Sequence, residues 1–198
     1  MATNLTKGQR ISLKKEAPGL SNLMCGLGWD VAQGGGGLLG LFKGTDFDLD
    51  ASVLCLNARD KLKSKSDVVY FGNLRHKSGA ITHLGDNLTG KGEGDDEQVL
   101  VNLAEIPAEI NKLIFVVHIY HAKQRKQDFG QVKNAFVRLV DLRNNKEIAR
   151  YHLSGEEYQG ATGMILAEVY RQDNEWKMAA IGEEVQVNGL EAMTNNYY

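Results

Sequence analysis

Asp46-Phe47-Asp48-Leu49-Asp50 alternates acid and apolar residues and runs directly into Ala-Ser-Val-Leu-Cys-Leu. In an extended chain residues i, i+2 and i+4 share a face. The pattern therefore sets Asp46, Asp48 and Asp50 on one face and Phe47 and Leu49 on the other, toward a core. Three carboxylates in line on one face are unfavourable unless water or a cation separates them. A solvated strand edge accounts for one such aspartate well and for three poorly.

The same short-strand texture recurs along the chain. Strands are expected over 5–14, 22–29, 67–71, 80–83, 98–103, 112–121 and 176–181, and as a pair over 132–142 and 147–153 around the turn Arg143-Asn-Asn-Lys146. Residues 106–110, introduced by Pro107, read as one helical turn. Residues 122–128 read as a turn or short helix, and 162–171 fit helix or strand equally. Residues 188–198 read as a short helix or a loose tail. Short strands at regular spacing, with turn residues between them and no internal repeat, predict an all-β, two-sheet sandwich with short helical turns. At 198 residues the chain fits a single domain.

A second acidic group lies at 85–97, Gly-Asp-Asn-Leu-Thr-Gly-Lys-Gly-Glu-Gly-Asp-Asp-Glu. From Asp86 to Glu97 five acids (Asp86, Glu93, Asp95, Asp96, Glu97) face one base, Lys91, a local charge of −4 against −2 for the whole protein. Glycines at that density let a backbone fold tightly and turn its carbonyls inward. Carboxylates, the Asn87 amide, a Thr hydroxyl and carbonyls, without Cys or His, make an all-oxygen ligand set, which suits Ca²⁺. The window is not an EF-hand, because Leu88, Gly90 and Lys91 occupy its third, fifth and sixth positions. The plain alternative is a solvated acidic hairpin loop, and the second acid group at Asp46, Asp48 and Asp50 argues against it.

Other features bound the function. A net charge of −2 and a pI near 6.2 give no electrostatic case for nucleic acid. No apolar run approaches the roughly 20 residues of a membrane span, and the N-terminus lacks a signal-peptide core. Cys25 and Cys55 lie in apolar runs without CxxC spacing and read as buried reduced thiols, compatible with a cytoplasmic protein. Residues 33–44 form a glycine-rich loop with an apolar tip, Leu38, Leu39, Leu41 and Phe42, a candidate contact for a partner or a membrane. It is not a Walker loop, since no Gly-Lys-Ser/Thr follows at the required spacing. Of the five histidines only His118 and His121 are closely spaced, and in a strand residues three apart lie on opposite faces. A metal-dependent hydrolase would use paired carboxylates and a metal-held water. No nucleophile motif such as Gly-x-Ser-x-Gly occurs, and an enzyme is not expected.

Several segments together resemble the TerD-like family, the tellurium-resistance and general-stress proteins of bacteria. They are Lys7-Gly-Gln9, Gly26-Leu-Gly-Trp-Asp30, Asp46-Phe-Asp-Leu-Asp-Ala-Ser52, Gly85-Asp-Asn-Leu-Thr-Gly90, Gly94-Asp-Asp-Glu97, Phe129-Gly-Gln-Val132, Asn134-Ala-Phe-Val-Arg138 and Glu175-Trp-Lys177. The resemblance spans most of the chain. It implies a β-sandwich binding Ca²⁺, as a pair of ions, through acidic loops clustered at one end, with no established catalytic activity. The ligand set it implies is Asp30, Asp46, Asp48, Asp50, Asp86, Asn87, Asp95, Asp96 and Glu97. The family's Tyr-Asn-Asn-Leu is Phe71-Gly-Asn-Leu74 here, which leaves Asn73 as a further amide candidate. Its Ile-His-Asp-Ala is Ile119-Tyr-His-Ala122, so His121 stands where the family carries an acid. The expectation is a cytoplasmic calcium-binding module that acts by binding and assembly with other proteins of a stress or tellurite-resistance system. The alternative is a C2-like module whose calcium end and 38–42 tip dock peripherally on the inner face of the cell membrane.

Overall fold

A computed structural model describes residues 2–30, 47–85, 94–153 and 156–198. In chain order the strands are β1 (Thr3–Asn4), β2 (Arg10–Ser12), β3 (Asn22–Asp30), β4 (Leu49–Leu56), β5 (Val68–Val69), β6 (Ile81–His83), β7 (Glu97–Asn102), β8 (Lys112–Ile119), β9 (Lys133–Asp141), β10 (Lys146–His152), β11 (Gly163–Gln172) and β12 (Glu175–Val185). Short helices are α1 (Leu13–Glu16), α2 (Ala122–Arg125) and α3 (Leu190–Thr194). The strands form two six-stranded sheets, β1-β10-β9-β3-β7-β6 and β2-β12-β11-β8-β4-β5. Apart from the parallel β1–β10 pair, neighbours run antiparallel. The architecture is the expected all-β sandwich.

The core lies between the sheets, where Leu49, Val53 and Cys55 of β4 meet Leu23, Cys25 and Leu27 of β3 and Val99 and Val101 of β7. β7 alternates buried and half-buried residues because only one of its faces is covered. β4 is buried at every residue. Its other face carries Leu54 and Leu56, which pack with Val68, Ile114, Val116 and Met193, and Leu190 and Tyr197 cover that patch. The C-terminal segment is therefore a docked helix, α3, followed by a 3-10 turn (Asn195–Tyr197), and its apolar residues make a second small core.

Two local expectations resolve differently and one open alternative is settled. Residues 5–14 are not one strand: Ser12 accepts from the Lys15 N–H at 3.3 Å and starts α1, which buries Leu13. Residues 106–110 make one hydrogen-bonded turn, Ile110 N–H to the Pro107 carbonyl at 3.0 Å, short of a helix. The ambiguous 162–171 stretch is strand β11, because β8 and β12 flank it and use its backbone on both edges.

Cys25 and Cys55 are free and buried, and burial pushes both thiols well above their ordinary range. Among the described residues no helix is long and apolar enough to cross a membrane. Asp67, 3 % exposed, is a buried acid spent on structure: it accepts from the Ser64 and Lys63 N–H groups at 3.0 and 3.2 Å and from Lys77 Nζ at 2.8 Å. Burial raises its carboxyl, but the bonds from Lys77, His76 and Ser64 outweigh this and hold it below the usual range.

Candidate metal centre

Antiparallel pairing gathers the ends of β3 and β8 and the starts of β4 and β7 at one end of the sandwich, with Leu27 opposite Glu97 and Leu49 opposite Ile119. Three carboxylates are buried there: Asp48 is 6 % exposed, Asp50 3 % and Glu97 2 %. Phe47 and Leu49 belong to the core between the sheets, as the alternation requires, so Asp48 and Asp50 take the opposite face of β4. Glu97 shares the inner face of β7 with Val99 and Val101 and points between the sheets. β5 pairs with β4 only at Val53 and Leu54, and at Ala51 the backbone N–H donates to Glu97 Oε2 at 2.5 Å. One glutamate thus ties the two sheets together beside the two aspartates.

Arg125 Nη1, carried on α2, stands 3.5 Å from Asp48 Oδ2. His118 lies opposite Asp50 in register, its Nε2 3.4 Å from Asp50 Oδ2. Burial lowers this imidazole to about 4, although a hydrogen bond to the Asp50 backbone pulls the other way, so it is neutral at pH 7. His83 Nδ1 accepts from the Gly85 N–H at 3.1 Å, which leaves the ring proton on Nε2, 3.6 Å from Glu97 Oε2.

The acidic run splits at this point, with its three members sent in three directions. Asp96 Oδ2 accepts from the Trp29 N–H at 2.9 Å, while its own N–H donates to the Leu27 carbonyl at 2.8 Å. Asp95 turns to the outer face of the β3 sheet, where Arg138 grips both oxygens through Nε at 2.7 Å and Nη2 at 2.9 Å. The acidic strip lies close on β3. A Cβ on Gly26 would sit 2.3 Å from Asp95 Cγ, and one on Gly28 would sit 2.6 Å from the Gly94 carbonyl. The glycines of Gly26-Leu-Gly-Trp are what allow this approach.

Of the other expected site residues, Asp46, Asp86, Asn87, Leu38, Leu39, Leu41 and Phe42 lie outside the described residues. Asp30 closes β3, in register with Lys133. Asn73 sits in the tight turn that follows β5, with its Nδ2 donating to the Val68 carbonyl at 2.7 Å. Among the described residues no three His, Cys, Asp or Glu side chains already close around an ion position. The opposite-face argument for His118 and His121 does not hold. β8 stops at Ile119, His121 adopts a left-handed φ of 55°, and both residues line one cavity of about 330 Å³ with Tyr70, Phe71 and Tyr120. Sequence reasoning gave no part to Arg138, Arg125 or His83. Only the motif containing Arg138 pointed toward any of them.

A TerD-domain family model matches residues 1–197. The chain is 48 % identical over 200 residues to a stress response protein, SCP2, of Bacillus subtilis (strain 168), covering all of both chains. It is 44 % identical over 183 residues to the tellurium resistance protein TerD of Serratia marcescens, covering 92 % of this chain and 91 % of that one. In three dimensions it resembles the crystal structure of a homologue of telluride resistance protein (TerD) from Streptomyces coelicolor A3(2). That match has a TM-score of 0.67 at 21 % identity, over 85 % of this chain and 92 % of the other, and it supports the sandwich fold. With motifs, fold and full-length relatives in agreement, the chain belongs to the TerD-domain family.

Proposed function

We propose that this end of the sandwich binds Ca²⁺, as a pair of ions, and that the loaded protein works by binding and assembly in a stress or tellurite-resistance response. The observation that carries the reading is the burial of three carboxylates, Asp48, Asp50 and Glu97, at one end of the sandwich. Taking an ionised carboxylate out of water costs several kcal/mol unless something compensates for it. A hard cation does so, and oxygen is its preferred donor. Asp48, Asp50, Asp96 and Glu97 would hold the ions together with Asp30, Asp46, Asp86 and Asn87, and Asn73 offers its amide oxygen. Calcium supplies positive charge that fixes the acidic strip and so shapes a surface for other proteins. The biological setting is supported by relatives named for stress response and tellurium resistance.

Calcium should stabilise the fold. A ligand that binds only the native state contributes RT ln(1 + [L]/Kd), about 2.7 kcal/mol at a hundredfold excess over Kd. For a chain of this size that is a rise of roughly 5–10 °C in melting temperature, reversed by chelator. Identical melting curves in calcium and in chelator would mean that the buried acids hold no ion.

A further inference from the structure

We propose that Arg138 is a positioning residue for the metal centre, and that Asp95 is its anchor and not a metal ligand. The inference rests on the calcium reading above and assigns different work to neighbouring acids in the Gly94-Asp-Asp-Glu97 strip. Three observations carry it. The Asp95 side chain has no exposed surface, and both of its oxygens accept from Arg138 in a two-point grip, 2.7 and 2.9 Å. It lies flat on Gly26, where no larger residue fits, and the close seating together with the two-point grip holds it on this face. Arg138 is itself clamped: Nη1 donates to Glu147 Oε2 at 3.2 Å, Arg150 holds the same glutamate at 2.7 and 2.9 Å, and Arg150 stacks 4.0 Å above the Phe136 ring.

What the anchor fixes is the residue that follows it. With Asp95 pinned on the outer face, Asp96 is left to bond Trp29 and Leu27, and Glu97 enters β7 facing inward toward Ala51. The chain from Phe136 through Arg150, Glu147 and Arg138 to Asp95 thus works as a brace that sets where the next two carboxylates stand. Partners behind metal ligands commonly change metal affinity by roughly 10–100-fold when removed.

The sign of one effect separates the anchor from a ligand. If Asp95 were a ligand, Arg138 would compete with the ion for it, and Arg138→Gln would tighten calcium binding. If Asp95 is an anchor, Arg138→Gln weakens calcium about tenfold or more. Asp95→Asn then does the same, and the double variant is no worse than either single one. Arg138→Lys, which keeps the charge but loses the two-point grip, should recover part of the affinity, and Glu147→Gln should lose less than Arg138→Gln. Titration calorimetry at a temperature where every variant is folded reads these values. Unchanged or tighter binding in Arg138→Gln, or a further loss when Asp95→Asn is added to it, overturns the proposal. Hydrogen exchange in chelator provides a second reading. The Trp29 and Asp96 amides should exchange faster in Arg138→Gln, and unchanged exchange there also overturns it. A wild-type chain that binds no calcium defeats the metal reading alone, since the exchange measurement still decides the anchor.

Discussion

Truncating Leu49 to Ala is expected to destabilise the protein by roughly 3–5 kcal/mol, because a fully buried leucine leaves both its transfer energy and a cavity behind. Leu49 is 0 % exposed and sits in the core between the sheets. Its neighbours in sequence should behave differently. Asp50→Asn removes the charge of a buried carboxylate at the same end of the sandwich as Asp48 and Glu97. In chelator it should cost far less than Leu49→Ala, because the amide keeps the shape and sheds the charge that burial disfavours. In calcium it should lose most of the stabilisation that the wild-type chain gains. Urea unfolding of the two variants, each in calcium and in chelator, checks the pair. A Leu49→Ala loss below about 1 kcal/mol would mean the face assignment of β4 is wrong, and an Asp50→Asn variant stabilised by calcium as fully as wild type would remove Asp50 from the site.

The second large effect belongs to a glycine. A methyl group on Gly28 would stand 2.5 Å from the Phe136 ring and 2.6 Å from the Gly94 carbonyl, and the carbonyl, being backbone, cannot swing away. On Gly26 the methyl would meet the Asp95 carboxylate at 2.3 Å, and that group is held by Arg138. Gly28→Ala and Gly26→Ala should each cost about 2–3 kcal/mol or more by overpacking, and both should weaken calcium binding by lifting the acidic strip off β3. Gly8→Ala is the control: Gly8 has a φ of +80° but open space around it, so the cost there is backbone strain of about 1 kcal/mol. Equal losses at Gly8 and Gly26, with calcium affinity intact, would show that the strip does not depend on close seating.

The period-two alternation at 46–50 correctly assigns Phe47 and Leu49 to the core, and the pairing of 132–142 with 147–153 is realised as β9 and β10. These features are local, so the sequence exposes them. The acid run is different. Asp95, Asp96 and Glu97 look equivalent as a string of carboxylates, and a strict strand period would set Asp95 and Glu97 on one face. Gly94, with φ at +112°, and the start of β7 at Glu97 break that period, so Asp95 faces outward and Glu97 inward. Arg138 comes from a strand 43 residues further along, and nothing in the spacing announces that it meets Asp95. The same limit applies to His118 and His121, where a left-handed residue after Ile119 undoes the strand rule. Periodicity is legible only while the chain stays regular, and this site is built where strands begin and end.

The central claim, that two acid groups distant in sequence form a dedicated calcium site, is tested most directly by calorimetric titration of the metal-free protein with Ca²⁺ and, in parallel, with Mg²⁺. A site with many carboxylates and backbone carbonyls accommodates the six to eight oxygens of Ca²⁺ more readily than the strict octahedron of Mg²⁺. The account predicts calcium binding well below millimolar with a stoichiometry of about two ions per chain, and magnesium competing poorly. No calcium heat, or equal affinity for the two ions, would contradict it.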